Sequence, residues 1–288
     1  MPNENTPLPY QYPEHLRYTL DTLPAHCGVY IFYGEDQTFP LYIGKSINIR
    51  SRVQAHFRTP AEAKLLRMTS RIDCLETVGE IGALLLESQM IKNQRPLFNK
   101  RLRVTRKLCS LRVSESSTHI VFSNETDFSC AEDLFGLFKT RYAAIEQIRD
   151  IADQQRLCYG ALGLEKLSSN RPCFRYSLGR CGGVCCGIES LTEHQQRLIN
   201  ALNAMRIRSW PYPGRIAIEE RSASHTEYHV LKNWLYLGTV KTLAAARALQ
   251  MPTAHFDRDS YKILCQHVFK QEGLAITLLD GEQADSTL

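Results

Sequence analysis

Residues 28–33 read Gly-Val-Tyr-Ile-Phe-Tyr, and residues 41–44 read Leu-Tyr-Ile-Gly. Both runs are rich in β-branched and aromatic side chains and predict strands. Gly34-Glu35-Asp36 supplies a turn between them, so the two form a hairpin with a somewhat long loop. Working outward, residues 47–57 predict a helix, with Ile49, Val53 and Phe57 spaced four apart. Pro60 opens a second helix over 61–68, residues 72–78 return as a strand, and a helix over 81–93 stops before Pro96. Strands and helices interleaved in this way predict a small mixed α/β domain over residues 23–108.

The whole chain has 288 residues, about twice an ordinary domain, so two or three domains are expected. Residues 1–22, with Pro2, Pro7, Pro9 and Pro13, read as an irregular lead-in. Residues 109–208 read as a linker and a Cys-rich region: a strand within 111–122, a helix marked by Tyr142, Ile145, Ile148 and Ile151, and a helix over 191–208. Trp210-Pro211-Tyr212-Pro213-Gly214 is a turn-rich joint. Beyond it, strands over 215–220 and 227–237, two helices and a strand over 275–279 predict a small C-terminal α/β domain over 209–288. Asp257 and Asp259 open the second of those helices, whose apolar face is Tyr261, Leu264 and Val268, and Asp257 reads as its N-cap. The fold class is α+β: a mixed N-terminal domain, a central helical Cys-cluster region and the C-terminal domain.

Hydrophobic residues make up 43% of the chain and charged residues 23%, a globular balance. No apolar run approaches the roughly 18 residues of a membrane span, and the N-terminus shows no secretory pattern, so a cytoplasmic protein is expected. Net charge is +5, unevenly spread. Residues 88–114 hold no Asp or Glu but carry Lys92, Arg95, Lys100, Arg101, Arg103, Arg106, Lys107 and Arg112. A block of one sign attracts a polyanion such as a phosphate backbone; the alternative is a solvated basic face.

Ten cysteines without a secretory signal point away from a disulfide framework and toward metal or catalysis. Cys27, Cys74, Cys109, Cys130 and Cys265 are scattered and read as small core hydrophobes. Cys158, Cys173, Cys181 and Cys185 stand at C-x14-C-x7-C-x3-C, with Cys186 spare. Four thiols with glycines between them suit a tetrahedral zinc site or an iron–sulfur cluster, and spacing does not separate the two. Glu87 sits in an apolar helical stripe of Ala83, Leu84, Met90 and Ile91. A carboxylate there needs a cation, either a divalent metal or an arginine.

Gly28-Val29-Tyr30 and then Tyr42-Ile43-Gly44 resemble the two signatures of the GIY-YIG nuclease family, with Lys45, Arg52, Glu87 and Asn99 at suitable positions. The string from 41 to 53, Leu-Tyr-Ile-Gly-Lys-Ser-Ile-Asn-Ile-Arg-Ser-Arg-Val, and the cysteine region resemble the UvrC branch over residues 23–188. Residues 189–288 are too few for the further domains of UvrC, so the chain looks like a shortened UvrC homologue. The resemblance implies a metal-dependent endonuclease making one incision 3′ to a lesion in duplex DNA, with UvrB as partner and UvrA upstream. It implies a Mg²⁺ or Mn²⁺ on Glu87 and a [4Fe–4S] cluster on the four cysteines, with zinc as the alternative.

Phosphodiester hydrolysis needs an activated nucleophile and cover for the charge growing on phosphoryl oxygens. Arg52 suits the second task. Tyr30 and Tyr42 project toward one spot from adjacent strands; Tyr42 is expected as general base with its pKa lowered by Lys45, and Tyr30 as an orienting partner, though either tyrosine fits. His56 stands where many UvrC relatives have tyrosine, and Asn99 is a support for the site. Candidate DNA contacts are Arg50 and the basic residues Lys92, Arg95, Lys100, Arg101, Arg103, Arg106 and Lys107. Trp210, Tyr212 and Trp234 are either a partner or DNA contact or packing of the C-terminal domain. Two other readings are a structure-specific or mobile-element endonuclease with a zinc domain, and a non-catalytic DNA-binding module.

Overall fold

A short helix α1 (Arg17–Thr22) leads into β1 (Gly28–Tyr33) and β2 (Pro40–Ser46), the predicted hairpin. The computed structural model describes residues 10–36, 38–99, 107–114, 117–167, 171–250, 256–270 and 274–280, apart from the side chains of 268–270. Lys100, Arg101, Arg103, Arg106 and the side chain of Val268 therefore lie outside the described residues. By contacts the chain divides into two compact units, residues 1–105 with 212–288 and residues 106–211.

In the first unit, α2 (Ile49–Phe57) starts at its N-cap, Asn48, whose side chain accepts from the Ser51 amide. A 3-10 turn at Pro60–Glu62 runs into α3 (Ala63–Met68), then β3 (Arg71–Glu76) and α4 (Glu80–Gln94). The sheet order is β2-β1-β3, antiparallel throughout. Gly28 is needed where β1 meets β3, since a Cβ there would stand 2.2 Å from the Leu75 carbonyl oxygen. One face of the sheet, with Phe32, packs on Val53, Phe57 and Leu66, and the other, with Val29, Ile31 and Ile43, packs on Met90 and Ile91 of α4.

The second unit holds β4 (Cys109–Val113), β5 (Thr118–Phe122), β6 (Leu134–Phe138), α5 (Arg141–Gln155), the single turn α6 (Phe174–Ser177) and α7 (Leu191–Leu202). The strand expected within 111–122 is in fact two, turned at Ser114, whose amide donates to the Ser117 carbonyl at 2.9 Å. With β6 they form a sheet ordered β5-β4-β6, so this region is less purely helical than its composition suggested. Leu111, Phe135, Ile148 and Leu198 share its core. The helix expected over 191–208 ends earlier, at Leu202, and gives way to a 3-10 turn at Asn203–Met205.

The C-terminal segment returns to the first unit with β7 (Ile216–Arg221), β8 (Thr226–Lys232), β9 (Leu235–Val240), α8 (Leu243–Ala248), α9 (Arg258–Lys270) and β10 (Ala275–Leu278), in sheet order β10-β7-β8-β9. The strand expected over 227–237 is also two. They turn at Asn233 (φ 51°) and Trp234 (φ 62°), a pair of left-handed residues of the kind tight hairpins require. Trp234 is fully buried, edge-on to Tyr261 at 5.3 Å, and so belongs to the core and is no surface contact. The α+β class holds for the whole chain. No helix among the described residues is long and apolar enough to cross a membrane.

α9 packs along α4, and at its start Asp257 accepts from the Ser260 amide at 2.9 Å, the expected N-cap, and meets the Lys92 ammonium at 2.5 Å. Burial opposes the Asp257 charge, but Lys92 and Ser260 outweigh it and hold the carboxyl below its ordinary range. A depressed carboxyl contributes stability that is present above the unfolded value near ~3.9 and is lost as pH falls through the folded value. Asn keeps the cap, so Asp257→Asn isolates the charge. We expect it to lower unfolding free energy at neutral pH by about 1–3 kcal/mol in urea titrations, with the deficit fading as the pH is taken below ~3.

Candidate active site and cysteine cage

Tyr30 lies opposite Gly44 in the β1–β2 register, and Phe32 opposite Tyr42, so both tyrosines stand on one face of the hairpin. Gly44 makes room for this: a Cβ there would be 2.3 Å from the Tyr30 hydroxyl oxygen and 2.9 Å from the Tyr42 ring. Tyr30 is buried, its hydroxyl 2.7 Å from His56 Nε2. On the far side of the imidazole, Nδ1 meets the Glu62 carboxylate. A carboxylate only accepts, so Nδ1 carries the hydrogen and Nε2 is left to accept from the tyrosine. His56 is 3% exposed and packs edge-on to Tyr42 as well, which places it within the constellation.

Burial pushes the Tyr30 phenol well above its ordinary range, and Arg52, bonded to its hydroxyl, pulls the other way. Tyr42 is also raised, first by burial and then by the charge of Glu87, against Tyr30 and Arg52. The expectation that Lys45 lowers the Tyr42 pKa is not met. The Lys45 ammonium reaches away to Glu80 at 2.6 Å, and Arg52 is the cation facing both phenols.

Glu87 projects from α4, which packs on the opposite face of the sheet, to the edge strand β2, where it accepts from the Lys45 amide at 3.1 Å. Burial holds its carboxyl above the ordinary range, against the Lys45 amide and the charges of Lys45 and Arg52. A largely buried oxygen donor beside phenols and one guanidinium suits a hard divalent cation. Asn99 accepts from the Ile43 amide at 2.9 Å and donates to the Ile43 carbonyl at 2.8 Å, bracketing the residue after Tyr42.

The candidate DNA contacts divide. Arg50 donates to the Leu23 carbonyl at 2.7 Å, and Lys92 is held by Asp257, so both guide the fold. Arg95 ends α4 in a left-handed conformation and is exposed, and Lys107 lies over the Phe122 ring near Glu125. Glu62 and Glu80, the partners of His56 and Lys45, carried no signal in the sequence, since neither falls at a helical or strand period from its partner.

In the second unit the Sγ atoms of Cys158, Cys173, Cys181 and Cys185 all lie within 4.8 Å of one another, three of the residues buried. Backbone amides turn inward: Cys173 donates to Cys185 Sγ and Gly183 to Cys181 Sγ, each at 3.4 Å. Burial raises the thiols of Cys158 and Cys181; it opposes the Cys185 thiolate as well, but the Cys173 amide and the neighbouring thiols outweigh it and hold Cys185 below its ordinary range. The Cys158 amide donates to His194 Nε2 at 3.0 Å, an imidazole that burial pulls down to about 4 and keeps neutral. Cys186 is exposed and stands outside the set.

Three family models match in succession: a UvrC-like GIY-YIG domain over residues 26–100, a UvrC/Cho excinuclease middle domain over 108–204, and an excinuclease Cho C-terminal domain over 215–283. The chain is 54% identical to excinuclease cho of Escherichia coli K12 over 257 residues, covering 89% of this chain and 87% of that one. It is 29% identical to UvrABC system protein C of Synechococcus sp. CC9902, over 90% of this chain and 40% of that protein. A crystal structure of the GIY-YIG N-terminal endonuclease domain of UvrC from Thermotoga maritima, bound to magnesium as its catalytic divalent cation, is 27% identical, matching 30% of this chain and 97% of that one with a TM-score of 0.28.

The close approach at Gly44 generates a test. Gly44→Ala forces its methyl group into the Tyr30 hydroxyl, and we expect a loss of about 1–3 kcal/mol in urea unfolding, the scale of overpacking a filled site.

Proposed function

The chain belongs to the excinuclease Cho family and is an endonuclease of nucleotide excision repair, and we propose that it makes a single incision 3′ to a lesion in duplex DNA after UvrA and UvrB have marked the site. The observation that supports this best is the convergence of Tyr30, Tyr42, Arg52 and Glu87 around the edge strand β2, one carboxylate among them. One such set suits one cut. The acid-free basic block over 88–114 supports a polyanionic substrate, and a DNA substrate is consistent with work in the cytoplasm.

In this reading Glu87 would hold a Mg²⁺ or Mn²⁺, which would supply cover for the charge growing on the phosphoryl oxygens and on the departing oxygen. Arg52, an exposed residue whose guanidinium faces both phenols, binds the phosphate. Tyr42, less buried than Tyr30, takes the proton of the attacking water as it passes its own phenolic proton through the Tyr30 hydroxyl to His56 Nε2. Tyr30 orients that hydroxyl, with His56 and Glu62 behind it to hold a proton. Lys45 fixes β2 against α4 through its amide on Glu87 and its ammonium on Glu80. Residues 23–108 cut, the Cys-rich region orients DNA, and the C-terminal segment meets the partner or the DNA.

The cysteine cage holds a metal centre. The resemblance favours a [4Fe–4S] cluster, while one observation favours zinc. Four thiolates around one ion at a Zn–S distance near ~2.3 Å stand about 3.8 Å apart, and the Cys158–Cys173 and Cys181–Cys185 sulfurs are 3.9 Å apart. A cube of iron and sulfide between the thiolates spreads them wider. Metal analysis of anaerobically purified protein separates these: iron with matching acid-labile sulfide for the cluster, or one zinc without sulfide.

The activity test is incision of an end-labelled duplex carrying one bulky lesion, in Mg²⁺, with and without UvrA and UvrB. We expect cutting only 3′ to the lesion and only with both partners, with Glu87→Gln slower by roughly a hundredfold or more. Cutting of undamaged or branched DNA by the protein alone would move it to the structure-specific class. Absence of cutting under every condition would leave a DNA-binding module.

A further inference from the structure

α4 begins without a cap of its own. Its N-cap is Gly79, and no side chain of the local sequence accepts from its first amides. Those amides carry the positive end of the helix dipole and need acceptors. They find them in the C-terminal sheet, about 140 residues away. Glu220 of β7 accepts from the Ile81 and Gly82 amides, both at 2.9 Å, and Glu227 of β8 accepts from the Val78 amide at 3.2 Å.

The C-terminal sheet is arranged at some cost to do this. Glu220 and Glu227 are directly opposed in the β7–β8 register, a like-charge pair that ordinarily destabilises a sheet. The Glu220 side chain is only 12% exposed, and burial opposes its charge. The charge is nevertheless favoured, because His229 Nε2 at 2.8 Å and the two α4 amides outweigh burial and hold the carboxyl below its ordinary range. His229 is fully buried, and its other nitrogen meets the Thr239 hydroxyl at 2.7 Å. Room for the carboxylate comes from glycine: a Cβ on Gly79 would fall 2.2 Å from a Glu220 oxygen, and one on Gly82 2.8 Å from the His229 ring. Gly79 has an extended backbone that any residue adopts, so it is the contact and not the conformation that calls for glycine there.

We propose that Glu220, seated by His229 and seconded by Glu227, is a positioning residue of the nuclease site: it fixes the axial placement of α4 and hence of the Glu87 carboxylate against Tyr42 and Lys45. The proposal rests on the reading of Glu87 as the metal-binding carboxylate. Glu87 stands about 9 Å along the helix axis from the clamped amides, at ~1.5 Å per residue, on a helix that transmits displacement as a rigid rod. Asp257 on Lys92 ties the far end of α4 to the same C-terminal segment. The part of the chain that resembles other nucleases of this kind thus receives the alignment of its carboxylate helix from the C-terminal segment.

The test uses the full chain and two readouts: Mn²⁺ binding without DNA, by electron paramagnetic resonance titration, and the Mg²⁺ dependence of lesion incision with UvrA and UvrB. Glu220→Ala is expected to weaken Mn²⁺ binding and raise the half-saturating Mg²⁺ concentration by about tenfold, with the rate at saturating metal altered far less. Gly79→Ser alone is expected to impair both, because its side chain enters the Glu220 carboxylate. In the double variant Gly79→Ser/Glu220→Ala that space is free and Ser supplies a local cap, so both readouts return to within about twofold of wild type. If Glu220→Ala does not fold, Glu220→Gln, which keeps one acceptor oxygen but no charge, carries the same comparison. Wild-type Mn²⁺ binding and Mg²⁺ dependence in the Glu220 variant would overturn the positioning role, as would failure of the double variant to recover. Persistence of Mn²⁺ binding in Glu87→Gln would instead overturn the underlying reading of Glu87.

Discussion

A carboxylate that must stay charged while largely out of water constrains the rest of this molecule. Burial raises the Glu87 carboxyl, and the protein answers with the Lys45 amide and the charges of Lys45 and Arg52. Each is fixed by a different element. Lys45 sits on β2 opposite Val29, and Arg52 on the helix after the hairpin. The carboxylate itself rides on α4, whose apolar face packs on the sheet through Met90 and Ile91. Sliding α4 along the sheet would part the carboxylate from its donors, so the register of one helix against one strand governs the electrostatics of the site.

The hairpin was legible because its determinants are local. Strand periodicity places Tyr30 and Tyr42 on one face, and glycines mark the two close approaches at Gly28 and Gly44. The cysteine ligands were legible by type and spacing, and the structure gathers those four while leaving Cys186 outside. The partners that escaped are separated by no period: Glu62 behind His56, Glu80 under Lys45, and Glu220 and Glu227 at the start of α4. Composition shows that such carboxylates exist but not what they face.

The two missed turns differ in kind. The β8–β9 turn is Asn233-Trp234, and a tryptophan with positive φ is a poor turn residue by propensity. Here tertiary structure overrides it: the indole is fully buried against Tyr261, and the packing of a large ring offsets the strained backbone. Residues 114–117 read Ser-Glu-Ser-Ser, without glycine or proline, so nothing in the sequence separates β4 from β5. The unexpected strand β6 contains Gly136 at φ 73°, which weakens a strand reading.

His56 changes what the tyrosine pair can do. A phenol hydrogen-bonded to a second phenol shares a proton between two groups that both titrate near ~10. A phenol backed by an imidazole, itself backed by a carboxylate, has an acceptor for its proton directly behind it. Glu62 fixes the imidazole tautomer, and the ring is buried between Tyr30, Tyr42 and Phe32, so it cannot turn away. The Tyr30 hydroxyl, its proton directed at His56 Nε2 and its oxygen faced by Arg52, is thereby aligned toward Tyr42 and the carboxylate beyond it. The chain that sets this geometry runs from Glu62 on a 3-10 turn, through α2, to β1, the last two packed in one core. The orientation of the phenol is thus a property of the packed domain, as the position of Glu87 is a property of α4 and of the C-terminal sheet that holds its first turn.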